Sequence, residues 1–206
     1  MMIARLCALV MAAVALAALR AQYDVLPYGP GANNLGERLW VLAGYFTILT
    51  NVGVAIAMLA VVKKWRISAA VAAGLVVSIT MVGIIYHLVL ADLWNPVGLA
   101  LWANQGLHTA VPLGMVGWWL AFAPKNVGLR DLSGWMLWPL IYCIYATTRG
   151  SLTGFWPYPF LDIGSLGVAR VGANMLILVV AFASLGIVII GIARWIGRTR
   201  QPAKPS

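Results

Sequence analysis

The chain contains two histidines, His87 and His108, and both lie in or at the end of an apolar run. Histidine ordinarily titrates near neutrality, which suits it to act as general base for a weak nucleophile. His108 stands in Asn104-Gln105-Gly106-Leu107-His108-Thr109-Ala110-Val111-Pro112. Asn104 and His108 are four residues apart and share a helix face. An asparagine or a nearby carbonyl can therefore fix the imidazole tautomer. Pro112, four residues on, removes the backbone bond to the His108 carbonyl and predicts a kink that makes room for substrate or water. His87, in Tyr86-His87-Leu88 just before Asp92, falls near the end of its run, where a histidine at headgroup level is the plainer reading. A second polar island is Tyr45-Phe46-Thr47-Ile48-Leu49-Thr50-Asn51. Thr47, Thr50 and Asn51 fall on one face of a helix. Taken alone they read as interhelical hydrogen-bonding residues. Beside an imidazole, a threonine hydroxyl becomes half of a nucleophile–base pair.

The surrounding chain must place these groups inside a bilayer. Of 206 residues, 63% are hydrophobic and 9% charged, and the mean hydropathy is +0.92. Ordinary globular domains are about half apolar and about a quarter charged. A soluble fold of this size has too little interior for so much apolar side chain. The expected fold class is therefore all-α: a polytopic integral membrane protein with a six-transmembrane-helix bundle, since lipid requires each span to satisfy its own backbone. The expected spans cover residues 3–19, 39–62, 67–90, 102–122, 133–148 and 168–192. One such domain, residues 1–198, is expected to precede a disordered cytoplasmic tail, residues 199–206. The first apolar segment also has features of a signal peptide, but Arg20 interrupts the alanines where cleavage would fall, so a retained helix is expected.

The net charge of +9 lies in short basic clusters between apolar runs. That pattern fits lipid headgroups and gives no indication of nucleic acid as a partner. With the N-terminus placed in the cytoplasm, Arg5, Lys63, Lys64, Arg66, Lys125, Arg130, Arg194, Arg198, Arg200 and Lys204 fall on that side, against Arg20, Arg38, Arg149 and Arg170 opposite. The asymmetry predicts a multi-pass cell-membrane protein with both termini cytoplasmic. Thr47 then lies about 12 Å inside the outer end of its helix and His108 about 9 Å, at 1.5 Å per residue, which matches their depths. Cys7 and Cys143 read as apolar thiols rather than a disulfide. No Walker, GxGxxG, CxxC or HExxH pattern occurs, so no metal or organic cofactor is expected. The loop Trp156-Pro157-Tyr158-Pro159-Phe160-Leu161-Asp162 is stiffened by two prolines and reads first as an aromatic belt at the interface. No internal repeat of the kind found in many transporters is visible.

Three stretches carry a resemblance: Tyr45-Phe46-Thr47 with Ile48-Leu49-Thr50-Asn51, the run from Trp102 to Pro112, and Trp156 to Asp162. In order and spacing they resemble the androgen-induced protein family, whose animal members are six-span intramembrane hydrolases of fatty acid esters of hydroxy fatty acids. The resemblance implies Thr47 as nucleophile and His108 as its base. Around that pair, Asn104, Asn51 or Thr50 is expected to donate to the oxyanion, and His87, Tyr158 and Asp162, on the same side of the membrane, are candidates for supporting or substrate-pocket roles. The chain departs from the animal pattern in the neutral Thr50, where an acid follows the threonine turn, and in Asp162, where the loop carries glutamate. The implied partner is a membrane lipid or lipid-ester substrate. Two other classes fit the residues themselves: a small transporter using His87 and His108 as proton sites, and a non-enzymatic membrane scaffold or sensor.

Overall fold

The computed structural model describes residues 2–27 and 32–199. Among them the only regular structure is helical. Eight α-helices follow in chain order: α1 Met2–Val25, α2 Leu35–Leu42, α3 Phe46–Val62, α4 Ala69–Ile85, α5 Gly98–Gln105, α6 Val111–Phe122, α7 Leu129–Thr153 and α8 Ile163–Thr199. A π-helical turn, Tyr86–Leu90, and a 3-10 turn, Ala91–Leu93, extend α4. A second π turn, Gly106–Ala110, joins α5 to α6 without a break. Of the expected tail, residues 200–206 lie outside the described residues, and α8 runs through Thr199.

Three helical stretches are long and apolar enough to cross a membrane: α1, α4 with its extension to Leu93, and α8. The pair α2 and α3 makes a fourth if counted as one span, but its two parts are bent by 98°. The expected straight span over residues 39–62 is thus corrected. The Gly44 and Tyr45 amides bond back three residues, to the Val41 and Leu42 carbonyls at 3.0 and 3.1 Å. These contacts close α2 with a tight turn. Tyr45 is extended (φ −99°, ψ 127°), and α3 starts afresh at Phe46. The depth reckoned for Thr47 along one straight helix falls with it: Thr47 is the second residue of α3. The runs matching the expected fourth and fifth spans, α5 through α6 and α7, are helical but less apolar.

The contacts divide the chain into two compact units, Met1–Ile67 with Ser78–Phe122, and Ser68–Val77 with Ala123–Ser206. In the first, α1 packs against α3, α5 and α6 through a buried stripe of four alanines, Ala8, Ala12, Ala15 and Ala18, with Met11 among them. A Cβ on Gly106 would come within 2.5 Å of the Ala18 Cβ, and one on Gly114 would collide with the Met11 sulfur. Trp118 Nε1 donates to the Ala4 carbonyl at 3.0 Å. The run from α5 to α6 therefore lies antiparallel along α1. Arg5 donates through Nη2 to the Val62 carbonyl at 2.7 Å, which brings the start of α1 level with the end of α3. Arg38 of α2 is buried. It donates to the Tyr23 carbonyl and covers the Tyr23 ring at 4.6 Å, tying α2 to the end of α1.

In the second unit α7 packs along α8. A Cβ on Gly186 would meet Leu132 Cδ1, and Trp156 lies against Gly150 in the same close manner. Trp135 Nε1 donates to the Ala70 carbonyl at 2.8 Å. Inside α8 the backbone leaves helical geometry at Gly167 (φ 75°, ψ 159°), one residue before the expected start of the last span. Leu176, Ile177, Val180, Ile187 and Val188 of α8 are exposed, as a lipid-facing surface requires. Cys7 and Cys143 are both free thiols.

Candidate active site

Thr47 and His108 meet. Thr47 Oγ1 lies 3.4 Å from His108 Nε2, although 61 residues separate them. The other imidazole nitrogen, Nδ1, lies 3.0 Å from the Asn104 carbonyl. A carbonyl only accepts, so Nδ1 carries the proton and Nε2 presents its lone pair to the threonine hydroxyl. The expected tautomer control is present, exerted by the backbone of Asn104 rather than by its amide.

The π turn makes this arrangement. The Val111 amide bonds the Gly106 carbonyl, five residues back, so it does not serve Leu107. Pro112, the next residue, has no N–H to offer. The Leu107 carbonyl is left without a helical donor, and Asn51 Nδ2 supplies one at 3.3 Å while also donating to the Thr47 carbonyl at 2.8 Å. Asn51 thus joins α3 to the π turn directly beneath the Thr47–His108 contact. Asn51 is 0% exposed and Thr47 is 8% exposed. Pro112 likewise offers no N–H to the His108 carbonyl four residues back, as the sequence implies, and that carbonyl faces Gly83, where a Cβ would come within 3.0 Å of it.

Two residues that sequence reasoning left without a role complete the cluster. Tyr86, in the other π turn, stacks on His108 with ring centroids 4.0 Å apart and an interplanar angle of 21°. Its hydroxyl accepts from Asn104 Nδ2 at 2.6 Å. Thr109 donates to Gln105 Oε1 at 2.9 Å, which leaves its oxygen to accept from His87 Nε2 at 3.0 Å. The four-residue spacing of Gln105 and Thr109 was the available signal for that pair. For Tyr86 there was only its place beside His87. Of the side-chain donors expected for an oxyanion, Asn51 directs Nδ2 at two backbone carbonyls, Asn104 directs one bond at the Tyr86 hydroxyl, and Thr50 is buried within α3. What lies beside Thr47 is the N-terminal end of α3, which carries the positive end of the helix dipole.

An apolar cleft of about 400 Å³ reaches His108. Ile84, Leu88, Pro112 and Leu113 form much of its wall, with His87 and Thr109 as polar members. Thr47 is not part of that wall. Tyr158 and Asp162 belong to the second unit. Tyr158 stacks on Phe160 with centroids 5.2 Å apart, and Asp162 accepts from the Ser165 amide at 3.1 Å, capping the start of α8. Among the described residues, no three His, Cys, Asp or Glu side chains gather to hold a metal ion. The chain matches no protein-family model, no curated protein and no solved structure.

Proposed function

We propose that this protein is a six-span membrane hydrolase that cleaves a lipid ester within the bilayer, with Thr47 as nucleophile and His108 as general base. The observation that carries the reading is the Thr47–His108 contact with the base's lone pair turned to the hydroxyl. At 3.4 Å the contact is long for proton transfer and must shorten by about 0.5 Å when substrate closes the site. Thr47 Oγ1 attacks the ester carbonyl as His108 Nε2 takes its proton. The negative charge on the carbonyl oxygen develops at the positive end of α3. Collapse expels the alcohol, which takes the proton from Nε2 and leaves an acyl-threonine. Water then attacks with His108 again as base, releasing the fatty acid and restoring Thr47. The apolar cleft beside His108 suits an acyl chain entering sideways from lipid. The resemblance in the three sequence stretches supports the same assignment, and the basic-residue asymmetry supports cytoplasmic termini.

The test is labelling of detergent-purified protein by a fluorophosphonate probe. Wild type is expected to label, and Thr47→Ala and His108→Ala are expected to lose labelling at unchanged thermal stability. Equal labelling of all three, or none together with untouched ester substrates, overturns the proposal. One observation favours a second reading: the cleft wall includes both histidines and omits Thr47. A proton-coupled carrier would move its substrate in proteoliposomes in the Thr47→Ala variant and stop in His108→Ala.

A further inference from the structure

A second cleft, of about 490 Å³, lies wholly within the other unit. Its wall comprises Ala123, Pro124, Lys125 and Asn126 from the segment before α7, and Ala193, Arg194, Gly197 and Arg198 from the end of α8. Among the described residues three cations and no carboxylate line it, and the Lys125 ammonium also donates to the Ala123 carbonyl at 2.6 Å. Arg194 and Arg198 are four residues apart on one helix face, an arrangement in which like charges repel. Among the described residues neither guanidinium has a hydrogen-bond or ion-pair partner. Among the described residues the side-chain carboxylates of this unit are occupied elsewhere: Asp131 accepts from the Gly128 amide at 2.8 Å and Asp162 caps α8. The negative end of the α8 dipole accounts for one cation in its last turn. It does not account for a cleft built from two separate segments with a charge at each side. The small residues Ala123, Ala193 and Gly197 keep the floor open.

From this we infer that the cleft binds the phosphate of an anionic phospholipid. Phosphate is the anion whose several oxygens suit two guanidiniums and an ammonium together. A lipid is favoured over free phosphate by what adjoins the site. Trp195, next to Arg194 in the chain, is exposed, and Ile187 and Val188 are exposed further back along α8. A tryptophan at headgroup level above an apolar helix face is where a lipid lies with its chains along the helix. The inference does not depend on any reaction at Thr47.

The experiment follows thermal unfolding of the full chain in neutral detergent during titration with phosphatidylglycerol, phosphatidylcholine, inorganic phosphate or glycerol phosphate. Phosphatidylglycerol is expected to raise the Tm saturably, and the other three to leave it unchanged at equal concentration. Combined Lys125→Gln, Arg194→Gln and Arg198→Gln should raise the half-saturating phosphatidylglycerol concentration about tenfold or more. Removing the same charge as Lys63→Gln, Lys64→Gln and Arg66→Gln should leave it within about twofold. Should the first triple variant fail to fold, Arg194→Gln and Arg198→Gln singly are each expected to shift it about threefold. Equal loss from both charge deletions, no preference over phosphatidylcholine, or equal stabilisation by the soluble phosphates would overturn the inference.

Discussion

Asn51 holds two backbone carbonyls at once, those of Thr47 and Leu107, and it is the residue on which the alignment of nucleophile and base depends. Asn51→Leu keeps the volume and removes both donors. The Leu107 carbonyl then stays buried without a partner, at a cost of about 1–3 kcal/mol. The expected outcome is a lower Tm in detergent together with weaker probe labelling of Thr47; unchanged labelling would mean that Asn51 only packs. Tyr86→Phe separates two functions of one ring. It retains the stack on His108 and removes the hydroxyl that accepts from Asn104. A loss of about 1–3 kcal/mol of stability is expected, with labelling retained, because the His108 tautomer is set by the Asn104 backbone. Much of this cluster was legible in the sequence. The four-residue step from Asn104 to His108 and the polar turn at Thr47 and Asn51 marked four of its members. The stacking of Tyr86 was not legible, since it depends on π turns in two helices, and a π turn has no hydropathy signature.

Pro112 and Gly106 set the shape of the helix that carries His108. Pro112→Ala supplies an N–H two residues after the π turn, where Leu107 and His108 present carbonyls to receive it. The helix can then compete with Asn51 for Leu107, and His108 rotates away from Thr47. The variant is expected to unfold at the same or higher temperature and to lose labelling, an opposition between stability and activity that a merely packing proline would not show. Gly106 is required by its neighbour. A Cβ there meets Ala18 Cβ at 2.5 Å, whereas one on Gly117 of the same run meets nothing within 4 Å. Gly106→Ala should destabilise, with Ala18→Gly restoring part of the loss, and Gly117→Ala should be neutral or stabilise by up to about 1 kcal/mol. Comparison of the three Tm values decides it. The sequence showed where this run ends, at Phe122, but not the break between α2 and α3. The apolar stretch continues through Ala43-Gly44-Tyr45, so a 98° bend leaves hydropathy unchanged and only Gly44 hints at it.

For the whole molecule the open number is how many times the chain crosses the bilayer. Apolarity and length alone give three helices, or four with the bent pair. The six crossings proposed for the chain rest on packing instead. The run from Gly98 to Phe122 lies antiparallel along α1, with Gly106 at Ala18, Gly114 at Met11 and Trp118 at Ala4. If α1 crosses, a helix laid against it over that length lies at the same depth. Its lower apolarity follows from where its polar residues go: Asn104 is buried among its neighbours and needs no solvent. Likewise α7 lies along α8, with Leu132 against Gly186 and Lys125, in the segment before α7, lining a cleft with Arg194. Single cysteines in a Cys7→Ser, Cys143→Ser background test this with a membrane-impermeant maleimide on sealed, oriented vesicles. Lys64→Cys, Asn126→Cys and Thr199→Cys should label from one side, and Asn95→Cys and Ser151→Cys from the other. Asn126 decides between the counts. With six crossings it labels alongside Lys64. If neither the Gly98–Phe122 run nor α7 crosses, it labels alongside Asn95, the run that carries His108 loses its place within the bilayer's depth, and the intramembrane reading of the Thr47–His108 chemistry goes with it.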